Sequence, residues 1–286
     1  MTVGAIGCLA PGAPWSAPLA WVATKALALT HGDGAAVAIV GNIRDMDARA
    51  ILIADGFGDF RAAAKASADA VVSVRLDDVS ATLVVDGVDL LAVPTGGALR
   101  WDPRPALAAA AAAIASAAEL TAAADVIAAM LAEGPADEVS VHGDGPFAVA
   151  FARLRADEAF PANIVGFGPG STPAGDDWLA GYLTAGDLYG GGPGTSWPGL
   201  RAALAPRLGR TTPAGRALLS GALAGAPPAY LADLALAVTG LSGDGADDGL
   251  RLAVRAALGK GASSGRDALA GFLEALRHRP KSSDAL

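Results

Sequence analysis

Residues 81–93, ATLVVDGVDLLAV, decide how the first third of the chain folds. Two apolar and β-branched runs, Ala81–Val85 and Val88–Val93, flank Asp86-Gly87, and that dipeptide between two such runs predicts a tight hairpin. Working outward, Val71–Leu76 adds a third strand and completes an antiparallel meander. Val3–Leu9, Ala35–Val40 and Ile51–Ala54 are further short runs of this kind, each bounded by turn residues. Leu19–Leu29 carries apolar residues near helical spacing and reads as an early helix, although Trp21 suits a strand equally.

Downstream of the hairpin, Pro94-Thr95-Gly96-Gly97 ends the strand pattern, and alanine and leucine then dominate. Helices are predicted over 105–118, 121–131, 146–155, 173–188, 199–208, 213–224, 228–239, 246–258 and 264–276. The expected organisation is a β-rich domain over 1–97 and an α-helical domain over 98–286. Strands first and helices afterwards predict an α+β fold and argue against a doubly wound sheet, in which the two would alternate. The glycine run Gly190–Gly194 reads as a surface linker, with a mobile lid as the alternative.

Composition removes several function classes. The 286 residues are 52% hydrophobic, enough for a substantial core. The most apolar stretch, Ala106–Ala118, is too short to span a bilayer, and the N-terminus lacks the pattern of a secretory signal, so a cytoplasmic protein away from membranes is expected. A net charge of −8 disfavours a broad nucleic-acid surface, and any anion must therefore be met locally. The single cysteine, Cys8, excludes an intrachain disulfide and suits a strand core position. His31, His142 and His278 show no metal-ligand spacing, which disfavours zinc.

The segment with chemical character is Gly166–Gly181, GFGPGSTPAGDDWLAG. Gly166, Gly168 and Gly170 allow positive φ and a close backbone approach to a ligand, and Pro173 suits the first turn of a helix starting near Thr172. Free N–H groups at a helix start favour negative charge, so Gly168, Gly170, Ser171, Thr172 and Gly175 are candidate ligands of a phosphate or carboxylate. A capped helix after a tight turn is the plainer reading, but capping needs one polar residue and one glycine. The segment is neither a P-loop nor a dinucleotide fingerprint, since it lacks a Gly-Lys-Ser/Thr ending and has Ser171 where Gly or Ala belongs. Asp176 and Asp177 point about 100° apart on a helix, so they cannot both face one ligand. One can position a substrate or bind magnesium while the other caps.

Two further hydroxyl-rich helix starts follow. Thr211-Thr212-Pro213-Ala214-Gly215 echoes Ser171-Thr172-Pro173-Ala174-Gly175, and Ser263-Ser264-Gly265 opens the last helix. Convergence of the three would surround an oxyanion with N–H groups and hydroxyls without net charge, with Arg210, Arg216 and Arg266 beside it.

At these residues the chain resembles the AllH family, which contains a subunit of bacterial oxamate carbamoyltransferase. The resemblance rests on residues 166–181, similar to the family's T-P-x-G-D-D signature, and on SSGRDALAG at 263–271. It implies phosphorolysis of oxalurate to oxamate and carbamoyl phosphate in allantoin-derived nitrogen metabolism, with other carbamoyltransferase subunits as partners. No Ser-x-Arg-Thr-Arg segment is present, so a site unlike that of aspartate and ornithine carbamoyltransferases is expected. Under this reading carbamoyl phosphate, oxamate or oxalurate is the small anionic substrate. Asp176, Asp177 and Thr172 would serve catalysis, and Thr211, Thr212, Ser263, Ser264 and Gly265 would help bind the anion. The alternatives are a non-catalytic assembly subunit that binds an anionic metabolite and a stand-alone acyl-transfer or hydrolytic enzyme.

Overall fold

The computed structural model describes residues 2–67, 69–113, 117–133, 140–155, 160–240 and 246–278. The chain divides into two compact units, Met1–Asp102 and Pro103–Leu286.

The first unit is built on nine strands: β1 (Thr2–Gly7), β2 (Trp15–Val22), β3 (Ala26–Thr30), β4 (Ala36–Val40), β5 (Ile51–Asp55), β6 (Val72–Leu76), β7 (Ser80–Val85), β8 (Val88–Pro94) and β9 (Leu99–Trp101). They form one sheet in the order β8-β7-β6-β2-β3-β4-β5-β1-β9. Pairing is antiparallel except at β4–β5 and β1–β9. The expected meander is β6-β7-β8. Asp86 (φ 49°) and Gly87 (φ 81°) both adopt left-handed backbone, the turn whose twist matches the flanking strands. Asp86 also fastens the third strand, because Val71 donates to its side chain at 2.9 Å and its own N–H donates to the Val71 carbonyl at 2.9 Å.

Three features depart from the sequence expectation. Leu19–Leu29 is no helix: β2 and β3 pair Leu19 with Leu29 and Val22 with Leu27 around a short turn. Leu19, Val22, Ala26 and Leu29 fall at helical intervals only because the turn inserts three residues between two period-2 runs. Cys8 is buried, but in the turn after β1 rather than in the strand. A helix, α1 (Phe57–Ala66), follows β5. Its short apolar face, Phe60 and Ala64, joins Leu27, Leu29, Ile39, Ile51 and Ile53 in the core of this unit.

The described helices of the second unit are α2 (Arg104–Ala113), α3 (Ala117–Glu133), α4 (Pro146–Leu154), α5 (Ala174–Tyr189), α6 (Pro198–Leu204), α7 (Pro213–Leu223), α8 (Ala229–Thr239), α9 (Ala246–Leu258) and α10 (Ser264–Arg277). Among the described residues no single helix is long and apolar enough to cross a membrane. The predicted helix over 199–208 ends early: α6 stops at Leu204 and the chain continues as a 3₁₀ stretch, Ala205–Arg210. Pro206 carries no N–H to extend an α-helix.

Helix α5 is the axis of this unit, with every residue except Tyr182 and Tyr189 buried. A helix enclosed on all sides cannot be amphipathic, and this one is not. It lies against α10 backbone to backbone. A Cβ at Gly181 would collide with the Ala268 carbonyl, and one at Gly271 with the Trp178 carbonyl.

The end of α5 also fixes the glycine run. Asp187 accepts from Gly194 N–H at 2.8 Å, from the Ser196 hydroxyl at 2.6 Å and from Arg201 at 2.6 Å. Arg201 then reaches the Leu223 carbonyl at 2.7 Å at the end of α7. The run is thus anchored from one buried carboxylate, which favours the linker reading over a mobile lid.

Candidate functional site

The glycine-rich turn leads into α5 by folding back on itself. Gly166, Gly168 and Gly170 have φ of 76°, 102° and 100°, as the sequence expectation required. Gly175 N–H donates to the Phe167 carbonyl at 2.8 Å, and Asp176 and Asp177 N–H both donate to the Pro173 carbonyl. The helix starts at Ala174, with Pro173 as its cap, one residue later than the predicted range of 173–188. Thr172 is therefore released from capping. Among the described residues, the N–H groups of Gly168, Gly170, Ser171 and Thr172 donate to no acceptor of the protein.

The three hydroxyl-rich starts meet. The Thr172 and Ser264 hydroxyls lie 3.2 Å apart, joining the first start to the third. Thr212 joins the second by donating to the Ser171 carbonyl, while its hydroxyl caps α7 by accepting Gly215 N–H at 2.9 Å. Thr211 donates to Asp176. Ser263 caps α10 through its carbonyl, which accepts Asp267 N–H at 2.9 Å.

The paired aspartates diverge as helical spacing demands. Asp176 is fully buried, with one oxygen taken by Gly166 N–H at 2.8 Å and the other by Thr211. Burial raises its pKa, and those two donors oppose the rise. It ties the turn to the second start. Asp177 is 2% exposed and faces the third start. Burial pushes its pKa well up; the Ser264 and Thr172 hydroxyls oppose this, and nearby Asp267 adds to it. Its Oδ2 is buried without a hydrogen-bond partner, which adds to the cost of the charged form.

Sequence reading missed the inner side of this cluster. Asp267 is fully buried on α10 and accepts from the Ser140 hydroxyl at 2.6 Å and Val141 N–H at 2.8 Å. Tyr230 belongs to the same group, its phenol pushed well up by burial and by Asp177 and Asp267. Lys260 stands 5.9 Å from the Tyr230 ring centre. The available signal was an acid at Asp267, one turn after Ser264, on a helix face otherwise occupied by Ala268, Gly271 and Phe272.

Several expected site residues have packing duties. A Cβ at Gly175 would strike the Ile164 carbonyl and one at Gly265 the Ala257 carbonyl; Gly215, in the second start, is likewise packed against the Asp176 carboxylate. Of the three arginines, Arg216 donates to the Leu208 carbonyl at 3.1 Å and Arg266 to the Leu131 carbonyl at 2.8 Å. Arg210 lines a cavity, described below. No group of three or more His, Cys, Asp or Glu residues suited to a metal ion occurs among the described residues.

Fold and site together define an α+β protein whose helical unit gathers three hydroxyl-bearing helix starts around a glycine-rich turn and a buried acid. Within that unit, residues 164–276 match the family model described as oxamate carbamoyltransferase subunit AllH. The matched stretch runs from the residue before Val165 in the turn to the last turn of α10, so it contains all three starts. No curated protein and no solved structure matches the chain.

Proposed function

We propose that this chain is a subunit of a carbamoyltransferase, and that its three converging helix starts hold the anionic group of the reaction. The observation that carries this reading is the set of unengaged N–H groups at Gly168, Gly170, Ser171 and Thr172 beside the Thr172–Ser264 hydroxyl pair. Such donors suit a phosphate or carbamoyl phosphate and require no cation in an acidic protein.

In the phosphorolytic direction, a phosphate oxygen attacks the carbamoyl carbon of oxalurate. The bond from that carbon to the oxamate nitrogen breaks, and the nitrogen takes up a proton. N–H and hydroxyl donors stabilise the charge that develops on the carbamoyl oxygen. Asp177, whose pKa burial raises, is the proton source, with Thr172 and Ser264 between it and the substrate; in the reverse direction it takes the proton back. Asp176 holds the turn and does not enter the chemistry. The family description, a subunit, supports a site completed by other chains.

A thermal-shift titration of the chain with phosphate, carbamoyl phosphate, oxamate and oxalurate tests the binding role, because a ligand of the folded state raises the melting temperature. The expected result is a rise with carbamoyl phosphate or phosphate that Thr172→Val abolishes. No rise with any of the four would place substrate binding elsewhere in the assembly.

A further inference from the structure

The glycine-rich turn has a second side. An open groove of about 510 Å³ runs beside it, walled by Arg153 and Leu154 of α4, by Asn163, Gly166 and Phe167, and by Arg210 at the end of the 3₁₀ stretch. The volume lies in the range of small-molecule sites, roughly 300–1,000 Å³. Two guanidinium groups line it, and among the described residues no acidic side chain does.

That balance is unusual for this chain, whose acidic residues outnumber its basic ones by 29 to 21. Several other arginines find partners, although among the described residues Arg61, Arg255 and Arg277 do not: Arg75 reaches Asp89, Arg155 reaches Glu274 and Arg201 reaches Asp187. Arg207, Arg216 and Arg266 bond to carbonyls. Among the described residues, the side chains of Arg153 and Arg210 do neither. Two cations share a groove in which no described acid pairs with them, an arrangement that suits an oxyanion with two or more acceptor oxygens able to take paired N–H donors.

The wall between the arginines is rigid. Gly166 is held by Asp176 at 2.8 Å, and a Cβ there would meet the Arg210 carbonyl at 2.6 Å. Phe167 is packed edge-on against Phe147 and tilted against Phe151, with ring centres 6.1 and 6.0 Å away. A wall that does not move on binding costs little ordering entropy.

We infer that this groove is a second anion site, one that takes a small ligand bearing a carboxylate or phosphate at Arg153 and Arg210, with its uncharged part against Leu154 and Phe167. The turn then has an anion site on each side, at residues 168–172 and at Gly166–Phe167, the layout needed where two anionic reactants are brought together. The groove's arginines and dimensions stand whether or not the chemistry is carbamoyl transfer.

Calorimetric titration of malonate, a simple dicarboxylate, and of inorganic phosphate into the full chain tests it, with Arg153→Met, Arg210→Met and Thr172→Val beside the wild type. Both arginines are exposed, so melting curves should show these variants folded. The expected result is saturable malonate binding that weakens about tenfold or more in each arginine variant and persists in Thr172→Val. Malonate binding unaffected by both arginine replacements, or absent from the wild type, would overturn the inference. Loss in Thr172→Val alone would also overturn it while leaving the proposed function in place. Phosphate binding lost in Thr172→Val but malonate binding retained would uphold both sites separately.

Discussion

Asp177→Asn in the complete carbamoyltransferase assembly should lower the rate of oxalurate phosphorolysis by about a hundredfold or more, the usual worth of a positioned acid. The same change should make the isolated chain more stable at neutral and alkaline pH. Burial raises the Asp177 pKa, so the folded state holds its proton to higher pH than the unfolded chain, whose carboxyl titrates near about 4. That linkage gives stability at low pH and withdraws it as pH rises from the unfolded value through the folded one. Asparagine keeps the shape and never ionises. The melting temperature of Asp177→Asn relative to wild type should therefore climb between weakly acidic and alkaline buffers, as followed by circular dichroism. Undiminished turnover would remove Asp177 from the chemistry, and a variant less stable than wild type at high pH would show that its carboxylate is compensated inside the fold.

Gly271→Ala should have the largest effect on stability. The new methyl would point at the Trp178 carbonyl on α5, and a backbone atom cannot swing aside as a side chain can. The α5–α10 contact would have to open along Leu179, Leu183, Leu269 and Phe272, all fully buried. Overpacking of this kind costs about 3 kcal/mol at the upper end of its ordinary range. For a unit of this size that lowers the melting temperature by roughly 6–12 °C. Gly249→Ala is the control. Nothing lies within 4 Å of that exposed α9 position, so alanine there should stabilise by about 0.5–1 kcal/mol. A melting temperature for Gly271→Ala equal to that of the control would mean that the two helices are not in backbone contact.

Much of the fold was legible because it rests on local rules. Asp86-Gly87 demanded left-handed backbone, and alternation over Val72, Val74 and Leu76 marked a one-sided strand. The helix starts after Thr212 and Ser263 followed from their hydroxyls and Pro213. Failures arose where periodicity is ambiguous or short. Leu19–Leu29 mimicked helical spacing across a turn. Helix α1 shows only two buried residues, and β9 has three residues in all, too few to signal by pattern.

The site was half legible for a different reason. Glycines with positive φ and hydroxyls before a helix can be read from order alone, and these lie where expected. Which aspartate does chemistry cannot. Asp176 and Asp177 are neighbours of one type, yet one spends both oxygens on Gly166 and Thr211 while the other turns toward Ser264 and Asp267. Asp267, Tyr230 and Arg153 come from distant helices and acquire meaning only when the chain brings them beside the turn. Gly175 and Gly265 looked like ligand-binding glycines, and their closest neighbours are backbone atoms of the protein.

A crystal structure of the chain soaked in phosphate tests whether the three helix starts form one anion site. The expected result is a tetrahedral anion within hydrogen-bond reach of the Thr172 and Ser264 hydroxyls and of the Gly170 and Ser171 N–H groups. A crystal with phosphate only in the Arg153–Arg210 groove, or with none at the turn under saturating conditions, would contradict it.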